Sequence, residues 1–444
     1  MPSSNSIQLY CLSVTHHNTP VELRECLNLP AGVLEESLRE HPLRTAQFEP
    51  LTEMVVLSTC NRLEMYAIVT AAGGPDHDQD PAAGMLLSYM NDALGLPAEL
   101  ARPYLQCRTG IQAAEHLFRV AAGLDSIAVG ETQILGQVSR ALEAGLETGS
   151  ARHALSTLFR AAISTGKRVR TETEIGRHPV SISTLAVQLA NQASGLAGAA
   201  VLVVGAGKIG GKTIQELHRL GAGEVTLANR SLATAQEMVN RAGGTVLPYE
   251  RLSDGLAEAD VVFTSTAAPA PIITHDMVET AAARRPSRPL LLVDLSVPRN
   301  VAPDACAVPG VRVLDMDDIQ EYARTEWAGG GQDLSRAEAI VREEVDAYEK
   351  LLRVIPFIGE LHRKVEQIRR QEVEKTVRQL PDLSPAVSQQ IEMLSRSLVR
   401  KILHEPTMHL RDETDQETLN EYVDALARLF DLSEPLPDRG EAAR

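Results

Sequence analysis

No run in this 444-residue sequence approaches the roughly 18 continuous apolar residues of a membrane-spanning helix, which argues against a helical membrane protein. The opening residues MPSSNSIQLY lack the basic head and apolar block of a secretory signal and the arginines of a transit peptide. A cytoplasmic location is expected, with the plastid stroma as the alternative for a mature plant form. Cysteine is sparse: Cys11, Cys26, Cys60, Cys107 and Cys306 are widely spaced, with no CxxC pair and no zinc-ligand spacing. No metal is expected, and the five are read as thiols in a reducing compartment. Basic residues are outnumbered, 43 against 59 acidic, for a formal charge of −16. Such a balance argues against wrapping long nucleic acid, whose phosphates need clustered lysine and arginine. It leaves a local patch open, and Arg160, Lys167, Arg168 and Arg170 form an acid-free cluster in a helical stretch.

What is present is a soluble, multidomain pattern, with 44% hydrophobic and 23% charged residues. The length implies two to four domains. Strands IQLYCLSV, MVVLST and LEMYAIV alternate with helical segments in a βαββαβ-like order, which predicts an N-terminal α+β domain of ferredoxin-like type. From 133 to 192 the pattern is nearly all helical, with a break at Gly176 to Pro179. Next, the buried strand Val201 to Val204 runs into Gly205-x-Gly207-x-x-Gly210 and an amphipathic helix. Gly205 permits the turn, Gly207 lets backbone approach a pyrophosphate, and Gly210 lets helix pack on strand, so Gly205, Ala206, Gly207, Lys208, Ile209 and Gly210 are the expected phosphate-binding loop of a Rossmann domain. The second strand of such a domain ends in an acid when the cofactor is NAD. Here it ends in Asn229, Arg230 and Ser231, which suits the extra 2′-phosphate of NADPH. Beyond residue 330 the chain reads as helical to its end, with apolar stripes such as Val387, Ile391, Leu394 and Leu398, and later Leu426 and Leu429, spaced as seams for other helices, within the chain or between two copies.

A hydride donor needs an activated acyl group if its substrate is an acid derivative, and a thiolate supplies that activation as a thioester. The segment EMVVLSTCNRLEMY places Cys60 at a strand end with Arg62 two places on, where a cation within about 4–6 Å would lower the thiol pKa by roughly 1–3 units. Two residues apart on a strand, the pair would share one face. If the substrate were an alcohol or ketone, Cys60 would merely be packing.

The residues 58 to 64, STCNRLE, resemble the active-site signature of the glutamyl-tRNA reductase family. Thr15-His16 with TPVELRE (19 to 25), GLDSIAVGETQILGQV (123 to 138), KRVRTETEIG (167 to 176), DLSVPRNV (294 to 301) and LHEPTMHLR (403 to 411) resemble its other motifs, so the likeness spans essentially the whole chain. The resemblance implies NADPH-dependent reduction of glutamate carried on tRNA(Glu) to glutamate-1-semialdehyde, at the start of 5-aminolevulinate and tetrapyrrole synthesis. It implies Cys60 as the nucleophile, a functionally important His116, and a glutamate pocket of Thr59, Asn61, Arg62, Ser126, Glu131, Thr132, Gln133 and Gln137. Thr132 stands where many relatives have proline or glycine. His116 lies beside Leu117 and Val120 on an amphipathic helix, so proton transfer, orientation and plain packing all stay open for it. The implied architecture is a catalytic domain (1–160), a spinal-helix linker (161–192), a Rossmann domain (193–325) and an all-α dimerisation domain (330–444) in a V-shaped homodimer. Separated sites would require a swing of the nucleotide domain about Gly176, because hydride transfer needs contact near 3–3.5 Å. Implied partners are the glutamyl-tRNA, a second copy, the aminomutase that uses the aldehyde and, in plant forms, a regulatory binding protein. Arg363, Lys364, Arg369 and Arg370 are further candidates for RNA contact. Two other readings compete: a shikimate-type NADP-dependent dehydrogenase, and a non-catalytic NADPH-sensing scaffold.

Overall fold

The computed structural model describes residues 7–43, 48, 50–70, 81–131, 133–176, 181–326, 332–380, 384–412 and 416–432. They fall into two compact units, Met1–Val341 and Arg342–Arg444. Among the described residues no helix is long and apolar enough to cross a membrane.

The first unit begins with an antiparallel sheet of β1 (Ile7–Thr15), β2 (Leu51–Thr59), β3 (Arg62–Thr70) and β4 (Gln106–Thr109), ordered β2-β3-β1-β4. Helices Val21–Leu27 and Ala31–Glu40 join β1 to β2, and helix Pro81–Asp92 lies between β3 and β4. This is the expected ferredoxin-like arrangement, and the strand order, which the sequence left open, fits it. On one face Leu12, Val14, Met65 and Ala67 bury against Leu34, Leu38, Leu86 and Tyr89. An antiparallel sheet commonly leaves its other face to water, with alternating polarity. Here β3 is buried at every position from Arg62 to Val69, because helices Gly110–Ala122, Gln133–Thr148 and His153–Glu172 cover that face as well. Phe159 of the last helix meets Tyr66 edge-on, with ring centroids 5.3 Å apart. The start of the same helix is fixed by Glu53 of β2, whose carboxylate accepts from the backbone N–H groups of Arg152, Ala154 and Leu155 at 3.0, 3.1 and 2.9 Å. A carboxylate there satisfies free donors and the positive end of the helix dipole. Through the two-residue period of a strand, Arg62, Glu64 and Tyr66 all lie under this helical layer.

The nucleotide-binding part has six parallel strands, β5 (Val201–Val204), β6 (Val225–Asn229), β7 (Thr245–Pro248), β8 (Val261–Thr264), β9 (Leu290–Asp294) and β10 (Val311–Leu314), ordered β10-β9-β8-β5-β6-β7. The order reverses between β5 and β8, and such a switch point is where doubly wound sheets bind ligands. Five strands, β6 to β10, follow the glycine loop.

The segment 161–192, expected as a spinal linker, is not one helix. Its first part ends helix His153–Glu172, whose Leu158, Phe159, Ala162 and Val169 are buried in the ferredoxin-like part. Its last part belongs to helix Ile182–Ser194, whose Leu185, Val187 and Ala190 join Val201 and Val203 in the nucleotide-binding core. Each helix has a one-sided apolar face that its own domain buries, so neither is free to be a spacer. The break expected at Gly176 to Pro179 is visible up to Gly176, and residues 177–180 lie outside the described residues, as does most of the polar loop from 73 to 81. The longest helix is Gln332–Gln379, 48 residues.

In the second unit Phe357, Leu361, Leu403, Leu410, Leu419 and Val423 form a core among residues of Gln332–Gln379 and of helices Pro385–Asp412 and Gln416–Phe430. Along Pro385–Asp412, however, Val387, Leu394, Leu398 and Ile402 remain 45–66% exposed. These include the stripe that the sequence marks as a seam.

Candidate functional site

Cys60 does not extend β2. With Asn61 it forms the two-residue turn of the β2–β3 hairpin, in which Thr59 pairs with Arg62. The shared-face argument for Cys60 and Arg62 therefore does not hold, since it assumes both on one strand. The turn is pinned from several sides. Thr59 Oγ1 accepts from the N–H groups of Asn61 and Arg62, each at 3.2 Å. The Asn61 carbonyl accepts from the His16 N–H at 2.9 Å, and Asn61 Oδ1 accepts from Arg24 at 2.9 Å.

Beside the turn lies a cavity whose wall includes Thr59, Cys60, Asn61 and Arg62. Ser126, Glu131, Gln133 and Gln137 from the 123–138 motif line the same cavity, while Thr132 lies outside the described residues. Three contributors were not anticipated: His16 from the end of β1, Ser181 and Ser183 at the start of helix Ile182–Ser194, and Ile209 and Lys212 from the helix after the glycine loop. The two parts of the first unit thus share one cavity.

Arg62 is buried, and its charge is already committed. It donates to Glu64 at 2.8 Å and to the Asp125 carboxylate at 2.9 Å, and it also bonds the Asp125 carbonyl. Glu64 accepts in turn from His116 Nε2 at 2.8 Å and Tyr66 Oη at 2.7 Å, and Asp125 accepts from His17 at 3.1 Å. Burial opposes ionisation of Glu64, but His116, Arg62 and the Tyr66 hydrogen bond overcome it and hold the carboxyl at about 2. The Asp125 carboxyl is likewise held well below its usual range against its burial, by His17 and Arg62. His116 is buried on helix Gly110–Ala122 and does not line the cavity. Cys11, Glu64 and His116 bring ligand atoms within 4.8 Å of one another, but the Arg62 guanidinium sits on the same Glu64 oxygen as His116 and disfavours a metal cation there.

The thiol responds to this arrangement. Cys60 is exposed as a residue, yet protein packed around its sulfur strips hydration, and with the Glu131 carboxylate this pushes the thiol up to about 11. Arg24, then Arg62, pull the other way without prevailing. The expected activation by Arg62 is thus corrected: a guanidinium neutralised by two carboxylates has little field left for a third group. His16 is 4% exposed, its Nδ1 has no partner, and its pKa lies well below 6.5 through burial and the nearby Arg62 and His17 charges. It is a neutral imidazole on the cavity wall. Burial raises Glu131, which Arg62 and Lys212 partly offset.

The glycine loop has the shape a pyrophosphate needs. A Cβ on Gly205 (φ +112°) would come within 2.7 Å of the Ser265 carbonyl, and one on Gly210 within 2.1 Å of the Gly205 carbonyl, whereas at Gly207 it would face open space. Lys208, Ile209 and Gly210 form the first turn of helix Lys208–Arg219. The Ala206 N–H reaches Asn229 Oδ1 at 3.3 Å, Ser231 caps the next helix, and Arg230 is exposed, with no ion pair among the described residues. Ser265 Oγ, at the switch point, is buried without a partner.

Residues 12–173 match the family model for the glutamyl-tRNA(Glu) reductase N-terminal domain, 188–322 that for shikimate/quinate 5-dehydrogenase, and 336–432 that for the glutamyl-tRNA(Glu) reductase dimerisation domain. A glutamyl-tRNA reductase of Synechococcus sp. (strain JA-3-3Ab) is 39% identical over 443 residues, covering 98% of this chain and 99% of its own. The chain belongs to the glutamyl-tRNA reductase family. Another reductase of the family, from Myxococcus xanthus, is 38% identical over 433 residues, covering 96% of this chain and 95% of its own. The solved glutamyl-tRNA reductase of Methanopyrus kandleri is 29% identical, covers 96% of this chain and 99% of its own, and has a TM-score of 0.42.

Of the basic residues considered for RNA, Arg170 bonds the carbonyls of Ala121, Gly166 and Glu131 and so braces the 123–138 motif, and Arg168 pairs with Glu172. Arg160 and Lys167 are exposed. In the second unit Arg363 pairs with Glu360, Lys364 with Asp431, Arg370 with Glu366, and Arg369 with both Glu366 and Glu392, which neutralises that set.

Two outcomes follow from the buried charges and the thiol. Glu64→Ala leaves Arg62 short of a buried counter-charge and is expected to cost about 3–5 kcal/mol, read as a fall in melting temperature. Because the folded Glu64 pKa is depressed, its contribution is full above the unfolded value of about 4.3 and is lost as pH falls toward 2; Glu64→Gln should remove that part of the acid dependence. For Cys60, alkylation of the free enzyme by iodoacetamide should keep accelerating with pH toward about 11, and a plateau near pH 7 would contradict the environment described here.

Proposed function

We propose that this chain reduces glutamyl-tRNA(Glu) to glutamate-1-semialdehyde with NADPH, releasing tRNA, as the first step of tetrapyrrole synthesis, and that it works as a homodimer. The observation that carries the reading is one cavity lined by the Cys60 thiol, by polar residues of the 123–138 motif, and by Ile209 and Lys212 of the nucleotide helix. Cys60 Sγ attacks the aminoacyl ester carbon. A C–S bond forms as the C–O bond to the ribose breaks, and the thiol proton leaves with the tRNA oxygen. His16, neutral and with a free Nδ1, is placed to handle that proton. Glu131 complements the ammonium of the glutamyl group, with Thr59, Asn61, Ser126, Gln133 and Gln137 around it, and Arg62, its charge already met by Glu64 and Asp125, fixes the pocket wall beside them. His116 acts through Glu64, which holds Arg62, rather than on the reacting atoms.

The residues of the glycine loop fit a dinucleotide. Gly205, Ala206 and Gly207, with the helix start at Lys208, Ile209 and Gly210, would hold the pyrophosphate, and Asn229, Arg230 and Ser231 the 2′-phosphate. NADPH when bound supplies the hydride that turns the thioester into the aldehyde. The C–S bond then breaks, sulfur keeps the electron pair, and the thiol is restored by a proton. A ketone-reducing dehydrogenase of shikimate type has no use for the pinned thiol or the residues around it.

Incubation with radiolabelled glutamyl-tRNA in the absence of NADPH should leave label on the Cys60 peptide. Cys60→Ser should lower NADPH oxidation by at least about a thousandfold; retained oxidation, or label on another residue, would refute the thioester route. For the dimer, Leu394→Glu with Leu398→Glu should shift the protein to monomer in sedimentation while the first unit's melting is unchanged.

A further inference from the structure

We propose that Arg24 is a positioning residue that couples seating of the nucleotide-binding domain to the turn carrying Cys60, with Asp317 as the switch. The proposal rests on the reading of Cys60 as the nucleophile. Arg24 is 4% exposed. Its Nε donates to the Thr19 carbonyl at 3.1 Å and one terminal nitrogen to Asn61 Oδ1 at 2.9 Å, on the residue next to Cys60. The other terminal nitrogen pairs with Asp317, from the start of helix Met316–Glu326 in the nucleotide-binding part. Asp317 also accepts from the Val21 N–H at 3.0 Å. One guanidinium therefore touches the catalytic turn and the other domain at once.

Further polar contacts between the two parts, among the described residues, fall on the same short stretch. Arg299 pairs with Glu22 at 2.6 Å and Glu25 at 2.9 Å, and Arg324 donates to the His17 carbonyl at 3.1 Å. The nucleotide-binding part is thus held on residues 17–25, the stretch that follows His16 and contains Arg24. Neither Thr19 nor Asn61 carries charge, so among the described residues Asp317 is the anion in direct contact with Arg24. Seated, the domain neutralises Arg24. Lifted, it leaves a cation without its counter-charge, bonded to the neighbour of Cys60, which favours an anionic sulfur. Arg62 does not change in this way, because Glu64 and Asp125 belong to its own domain.

The two chemical steps make opposite demands that this switch meets. Acyl transfer from tRNA needs an ionised sulfur and room for the RNA end, whereas reduction acts on a neutral thioester with the nucleotide domain in place. Lifting favours the first and seating the second.

The test uses the full-length protein and the variants Asp317→Asn, Arg24→Ala and Arg24→Lys, each with melting temperature checked. Alkylation at Cys60 is resolved by peptide mapping at pH 7.5 without substrates, glutamyl transfer is read in single turnover without NADPH, and NADPH oxidation at steady state. Asp317→Asn should raise Cys60 alkylation about tenfold or more, keep glutamyl transfer at least as fast as wild type, and lower NADPH oxidation about tenfold. Arg24→Ala should slow alkylation and transfer, and Arg24→Lys should restore part of both. Unchanged alkylation in Asp317→Asn, or an equal fall in transfer and reduction, would overturn the proposal, since a bracing role alone gives no split between the steps. Absence of glutamyl label at Cys60 in the wild type would overturn the reading beneath it, while the alkylation comparison, which needs no substrate, would still decide whether Asp317 controls the charge at the turn.

Discussion

The structure of the site depends on one buried guanidinium. Arg62 stands at the first position of β3, under a layer of helices, and burying its charge is tolerable only because Glu64 and Asp125 both reach it. Those two carboxylates are fixed in turn by His116, Tyr66 and His17. The network ties β3, the helix Gly110–Ala122 and the 123–138 motif to one geometry, so the residues that line the cavity inherit their positions from residues such as His116 and Tyr66 that do not.

The same network explains the state of the thiol. A free arginine beside Cys60 would ionise it, but an arginine shared by two acids leaves the sulfur to the effects of lost hydration and Glu131. A protonated thiol in the free enzyme is less prone to oxidation and stray alkylation, which suits a residue exposed at a turn. Activation is then a matter of what approaches it.

Much of the fold could be read in advance because it depends on local pattern. The glycine loop, the six Rossmann strands and the βαββαβ order all announce themselves through spacing of glycine and apolar residues. Thr59, Asn61, Ser126, Glu131, Gln133 and Gln137 were placed at the cavity by their likeness to known motifs, and they meet there. What could not be read was partnership across distance. Arg24 and Asp317 are 293 residues apart, and nothing in either neighbourhood marks the other. Cys60 and Arg62 looked like strand neighbours because a two-residue turn is too short to interrupt the apolar pattern. The helical stretch 161–192 looked continuous because periodicity reports that a helix has a buried face, not which domain buries it. Nor do one-dimensional runs of basic residues reveal that Arg170 turns inward to carbonyl oxygens or that Arg369 meets Glu392 on another helix.

The doubly covered four-stranded sheet has a further consequence. Many small α+β domains of this topology read single-stranded RNA by stacking unpaired bases on aromatic rings displayed on an open sheet face. Here that face lies beneath the helices Gly110–Ala122, Gln133–Thr148 and His153–Glu172, and its one central ring, Tyr66, is spent on Glu64 and Phe159. Among the described residues this sheet therefore displays no open aromatic face to unpaired bases. What stays reachable on this sheet is the tip of the β2–β3 hairpin, where Cys60 is exposed, so whatever approaches it is met at a turn and not at a surface.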